Sequence, residues 1–141
     1  IFDLGHGGGS FRFTQAIPAL KSGFIPNTIS TDFHTGSMNA GMKDQLNVMS
    51  KFLNMGMNIQ QVIAASTWHP AQVIHREELG HLSVGAGADV ALFSLRKGKF
   101  GFVDSAGFRM EGDQKMECEL TLRDGKVVYD LNGISRPAWN K

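Results

Sequence analysis

The period of the apolar pattern changes once along this chain, near Gly80, and that change limits what it can fold into. Before Gly80, apolar residues recur at helical spacing around short β-forming runs; after it, they alternate every second residue between glycine-marked turns. Leu46, Met49 and Leu53 share one helical face, flanked by Val48 and Phe52, behind Asp44 as N-cap and ahead of Gly56 as terminator. Asn58 predicts the start of a second helix through Ala65, and a third runs from Pro70 to about Ile74. Upstream, Ile1 to Gly5 reads as a short buried strand, broken by His6-Gly7-Gly8-Gly9-Ser10. Thr14 to Lys21 reads as a helix, with Pro18 in its first turns and Gly23 as the residue that closes it. Pro26-Asn27 then turns into the β-branched run Thr28 to Thr31. His6 and Asp32 lie 26 residues apart, the span of one compact βαβ unit.

Downstream of Gly80, Val90 to Leu95 reads as a strand, and Gly98, Gly101, Gly107 and Gly112 as turns. Met116, Cys118, Leu120 and Leu122 alternate with Glu117, Glu119, Thr121 and Arg123, the pattern of a half-buried strand. Asp124-Gly125 is a tight hairpin turn that returns through Lys126 to Tyr129. The first half is thus α/β and the second antiparallel β.

Composition narrows the function classes. The 141 residues are 42% hydrophobic and include ten Phe, enough apolar mass for a core. A net charge of +1 with interspersed signs gives no electrostatic reason for a nucleic-acid or acidic-membrane partner. No apolar run approaches the roughly 20 residues that span a bilayer. A single cysteine excludes an internal disulfide and points to a reducing, cytoplasmic setting. The chain lacks an initiator Met and opens inside an apolar run, which suggests a fragment whose targeting segment, if any, lies upstream.

Three groups are candidates for chemistry. Asp32 follows a β-branched strand; it is a turn former, a helix cap, or a carboxylate at the mouth of a barrel. If the backbone stays extended, Thr28, Ser30, Asp32 and His34 face one way, and Ile29, Thr31 and Phe33 pack the other way against helices. His6 also ends a strand, in phase with Phe2 and Leu4, and three roles are open to it: metal ligand, substrate donor, or partner of a backbone carbonyl. The Gly7-Gly8-Gly9 run is either a flexible bend or a loop whose N–H groups approach an anion or carbonyl. His-Gly-Gly-Gly also marks the oxyanion loop of α/β-hydrolase esterases, but no G-x-S-x-G elbow follows: His81-Leu82-Ser83-Val84-Gly85 lacks the first glycine. His69, His75 and His81 show no metal-ligand spacing and read as structural or surface residues. Cys118 reads as an inert buried thiol, and the methionines read as core filler.

Taken together these segments resemble the amidohydrolase superfamily, in the deacetylase branch near dihydroorotases and D-aminoacylases. Phe2-Asp3-Leu4-Gly5-His6-Gly7-Gly8-Gly9-Ser10-Phe11 and Thr28-Ile29-Ser30-Thr31-Asp32-Phe33-His34 are similar to that branch's last two barrel strands. Ala64-Ala65-Ser66-Thr67 with His69-Pro70-Ala71 resembles the helix junction after the barrel. Gly80-His81-Leu82 and Gly85-Ala86-Gly87-Ala88-Asp89-Val90 resemble the stretch that leads back into a β-sandwich.

The resemblance implies an α/β fold: the C-terminal part of a (β/α)8 TIM-like barrel in residues 1–79, then strands of a small β-sandwich in residues 80–141. It implies a metal-dependent hydrolase acting on an N-acyl or O-acyl small molecule, with a divalent metal, Zn2+ expected, as one ion or two. Asp32 matches the aspartate at the end of the eighth barrel strand, which ligates metal and shuttles a proton. The remaining ligands, a His-x-His, a lysine and two further histidines, would lie upstream. Placed on the seventh strand, His6 is expected to contact substrate or stand behind the ligands, with Gly7, Gly8, Gly9, Ser10 and His34 as substrate contacts. A homo-oligomer is expected of the full-length protein, and no activity of the fragment alone. Two alternatives stand beside this: a non-catalytic scaffold of the same fold, and an α/β-hydrolase-type esterase.

Overall fold

The structure, a computed structural model, describes residues 1–139. It opens with β1 (Asp3–Gly5), α1 (Phe13–Lys21) and β2 (Thr28–Ser30). β1 and β2 pair in parallel, with Asp3 opposite Thr28, Leu4 opposite Ile29 and Gly5 opposite Ser30. This is the βαβ unit that the spacing predicts. Pro18 falls deeper in α1 than expected, at its sixth residue. It is exposed, so the Thr14 carbonyl that loses its helical partner there faces water. α1 closes in a Schellman arrangement: the Phe24 N–H donates to the Ala19 carbonyl and the Gly23 N–H to Leu20, both at 3.0 Å.

Three helices follow, α2 (Gln45–Asn54), α3 (Ile59–Ser66) and α4 (Trp68–Val73). Asp44 caps α2 by accepting the Asn47 N–H at 2.7 Å. Asn58 and Gln61 form a reciprocal capping box on α3 at 2.9 Å each way. Such a cap is worth about 1 kcal/mol. His69 donates to the Asn27 carbonyl at 3.1 Å, tying α4 to the turn before β2.

The second half is an antiparallel sheet ordered β3 (Val90–Val103), β4 (Arg109–Arg123), β5 (Lys126–Asp130). β3 and β4 are longer than predicted. Gly98, Gly101 and Gly112 do not end strands; they lie inside them, and a register shift between Lys97 and Phe100 absorbs the irregularity. Asp124 (φ 49°) and Gly125 (φ 71°) make the predicted hairpin turn with both central residues left-handed. Cys118 is half-buried, not enclosed, because only Met116 of the alternating set is fully covered.

One apolar core joins the halves. Ile29 of β2, Val48 and Phe52 of α2, and Phe102 and Met116 of the sheet are all buried in it. Met42, Met49 and Met57 fill it as expected. Polar stitches fix α2 across β4. The Ser50 hydroxyl accepts the Met116 N–H at 2.9 Å. The Asn54 amide accepts from Asp113 at 2.9 Å and donates to the Gln114 carbonyl at 2.8 Å. No helix of the described residues is long and apolar enough to cross a membrane.

Candidate functional site

The register of β1 against β2 decides which residues can share a site. Asp3 and Gly5 face the same way as Thr28, Ser30 and Asp32, and the Asp3 carboxylate accepts from the Thr28 hydroxyl at 2.6 Å and the Ser30 hydroxyl at 2.7 Å. Leu4 and Ile29 point the other way, into the core. The strand pair is therefore polar on one face and apolar on the face that meets the helices, as expected for Thr28, Ser30 and Ile29.

Asp32 sits at the C-terminal end of this polar face, exposed and without a hydrogen-bond donor to its carboxylate among the described residues. Two glycines cradle it. A Cβ at Gly5 would stand 3.3 Å from the Asp32 Cβ, and one at Gly7 would overlap the Asp32 carboxylate oxygen. Gly7 also has φ +51°, which only glycine adopts at little cost. The glycine run therefore has a specific steric role, because it lets the turn after β1 close directly onto the Asp32 side chain.

The expected alternation through His34 does not hold. Asp32 itself is left-handed, with φ 49°, so the extended backbone stops there. Phe33, expected to pack outward against helices, is 59% exposed. The turn that follows is organised by Ser37, a buried residue that sequence reasoning missed. Its hydroxyl accepts the His34 N–H at 2.9 Å and lies 3.0 Å from both the Asp32 and His34 carbonyl oxygens. His34 is exposed on this turn, and its Nδ1 accepts the Gly36 N–H at 3.1 Å. That bond leaves Nε2 as the free, outward nitrogen. Gly8 packs against the Gly36 carbonyl and the Ser37 backbone, while Gly9 and Ser10 face open space or solvent. The loops after β1 and β2 thus form one rim around Asp32. The Gly7 N–H is not free on this rim, since it donates to the Thr31 carbonyl at 2.9 Å.

His6 takes one of its three expected roles, as partner of a backbone carbonyl. The same pleat that directs Asp32 outward sends His6 to the core face, where it is fully buried and stacked on Phe11 with centroids 4.5 Å apart. Nδ1 donates to the Gly7 carbonyl at 2.9 Å, and Nε2 accepts from the Lys51 ammonium at 2.7 Å. The ring has no exposed surface and both nitrogens are engaged within these residues, which suits the expected place behind the ligands better than direct substrate contact.

Lys51 is the second residue missed. It falls between Val48, Phe52 and Met55 on the helical wheel, which marks it as inward-facing, and it is fully buried. Its three donors meet three acceptors: His6 Nε2, the Gly41 carbonyl at 2.9 Å and the Val103 carbonyl at 2.7 Å. Burial lowers the Lys51 amine to about 8, with Asp104 pulling the other way. Burial also lowers the His6 imidazole, opposed by its bond to the Gly7 carbonyl and helped by the nearby Lys51 charge. Asp104 is buried, which pushes its carboxyl up. The N–H groups of Phe13, Phe108 and Ala106, at 2.9–3.0 Å, and the Arg12 charge outweigh that and hold it below the usual range.

Known proteins match this chain in sequence and in fold. The Amidohydrolase family model matches residues 12–128. A deacetylase of Brucella anthropi is 43% identical over 105 residues, which are 74% of this chain and 26% of that protein. A deacetylase of Enterococcus faecalis is 30% identical over 131 residues, 92% of this chain and 35% of its own. The crystal structure of an adenine deaminase superposes with a TM-score of 0.87 at 30% identity, over 93% of this chain and 36% of that one. That of a dihydroorotase superposes with a TM-score of 0.84 at 34% identity, over 91% and 35%. This chain spans between a quarter and about a third of the length of these relatives. Sequence, fold and the paired strands converge on one assignment, which sets aside the esterase fold: this chain belongs to the amidohydrolase family.

Proposed function

We propose that this chain is the C-terminal part of a metal-dependent amidohydrolase that cleaves an amide or acyl-ester bond of a small molecule. In this reading residues 1–79 supply the last strands and helices of a (β/α)8 barrel, with β1 and β2 as its seventh and eighth strands, and residues 80–141 supply strands of a β-sandwich. The observation that carries it is the bearing of Asp32: a carboxylate free of internal donors, on the polar face of a parallel strand pair, at the strands' C-terminal end, where (β/α)8 enzymes place their chemistry.

Asp32 offers two oxygen donors that no described residue competes for, and it fits as one ligand of a divalent cation. No group of three or more His, Cys, Asp or Glu among the described residues could hold an ion by itself. The other ligands then come from the remainder of the whole protein, for one zinc ion or two. When bound, such an ion would make its water far more acidic than bulk water, so that hydroxide is available near neutral pH. Asp32 takes the proton of the attacking water and returns it to the departing nitrogen or oxygen. His34 presents Nε2, and Gly8, Gly9 and Ser10 present backbone, on the same rim, where they orient the acyl group. The deacetylase names of the relatives favour N-acyl or O-acyl substrates.

The test uses the full-length, metal-replete protein against a panel of N-acyl and O-acyl compounds. Asp32→Asn is expected to lower kcat about 10²- to 10⁴-fold, the range for loss of a positioned proton carrier, with melting unchanged. A wild type that turns over none of the panel, or an Asn variant of full activity, would overturn the reading.

A further inference from the structure

Building on the hydrolase reading, we propose that Lys51 is a positioning residue for the site: one buried ammonium pins both rim loops to the end of β3 and so fixes the bearing of Asp32.

The bonds run in sequence. Lys51 extends from α2 and donates to three acceptors on three separate segments. One is His6, directly after β1; one is the Gly41 carbonyl, in the loop that follows Asp32; one is the Val103 carbonyl, at the last residue of β3. From His6 the chain of contacts continues, because Nδ1 holds the Gly7 carbonyl at 2.9 Å while the Gly7 N–H holds Thr31 at 2.9 Å. Gly7 is the residue that closes on the Asp32 carboxylate. On the other branch, Gly41 is seated so tightly on Val103 and Asp104 that a Cβ there would overlap both carbonyl oxygens. Neither loop contains a regular element between its strand and this clamp, so the amine is the shared anchor of the two.

An apolar side chain of the same length cannot replace it, since three buried acceptors would lose their donor at once. Lys51 touches neither Asp32 nor any open surface, so it acts through His6 and Gly41 and not on substrate.

The experiment is steady-state kinetics of the full-length protein carrying Lys51→Met, His6→Leu and both. Each single variant is expected to lower kcat about 10- to 100-fold, as loss of a partner behind the reacting groups does, with KM and bound metal per subunit unchanged. The double variant is expected to be no worse than the more impaired single, because both interrupt one path. Single variants that lose melting temperature while keeping wild-type kcat would overturn the proposal, as would losses that multiply in the double. If Lys51→Met does not fold, His6→Leu decides alone, for it leaves the bonds to Gly41 and Val103 in place. An inactive wild type sinks the hydrolase reading and this inference with it. An active wild type with unaffected variants sinks this inference alone.

Discussion

At the scale of single residues, the site rests on close approaches that only certain side chains allow. Gly7 combines a left-handed backbone with contact against Asp32. Gly7→Ala in the full-length protein is expected to cost about 1–3 kcal/mol by denaturant titration, from backbone strain and displacement of the carboxylate. Gly9→Ala, with open space around it, is expected to cost little stability. A loss confined to Gly9 would contradict the cradle. Lys51 carries a pH signature. Its amine titrates near 8 in the fold against 10.5 outside it, so the unfolded chain holds the extra proton between those values. Stability from this group is therefore absent below about 8 and returns as pH rises toward 10.5, by at most about 3 kcal/mol. The titratable groups facing it are His6, Asp104, Lys43 and Asp44. The denaturation midpoint of wild type should gain on that of Lys51→Met across pH 8 to 10.5, and parallel curves would contradict the burial assigned here.

At the scale of elements, the turn between β3 and β4 docks the sheet onto the βαβ unit. Asp104 accepts three backbone N–H groups, one of them from Phe13 at the start of α1. Asp104→Ala strands all three, and should destabilise the protein by about 3 kcal/mol, read as a lower denaturation midpoint with the far-ultraviolet spectrum retained. Much of this level was legible in the sequence. Asp44, Asn58, Gly23, Gly56 and Asp124-Gly125 each act locally, so local chemistry predicts them. The length of β3 and β4 was not legible, because Gly98, Gly101 and Gly112 read as turns when only sheet partners show they are interior. The face of His6 was half legible: its phase with Phe2 and Leu4 already pointed to the core, but its relation to Asp32 depends on the pairing of Asp3 with Thr28, which no single strand encodes. Ser37 and Lys51 were missed because a buried serine and a buried lysine carry no local mark of their partners.

At the scale of the whole molecule, two surfaces lack cover. Ile1 and Phe2 beside the strand pair, and Leu92, Val128 and Trp139 in the second half, are largely exposed apolar residues. Among the described residues each strand of the β1–β2 pair has only the other as neighbour. The 141-residue chain alone is expected to self-associate, with sedimentation showing species heavier than 15.4 kDa, and a clean monomer would contradict the view that these surfaces await the rest of a barrel and sandwich. The mixed α/β character and the family were legible at this scale because the period change and the strand-end motifs lie within these residues. The ligand set was not, since Asp32 is the single ligand assigned to these residues. The central claim is that the Asp32 carboxylate binds a divalent cation at the C-terminal mouth of parallel strands. Anomalous scattering at the zinc edge from crystals of the full-length protein tests it directly. The account predicts a peak within coordination distance of Asp32, on the face shared with Asp3, Thr28 and Ser30; a metal peak remote from Asp32, with its carboxylate turned to solvent, would contradict it.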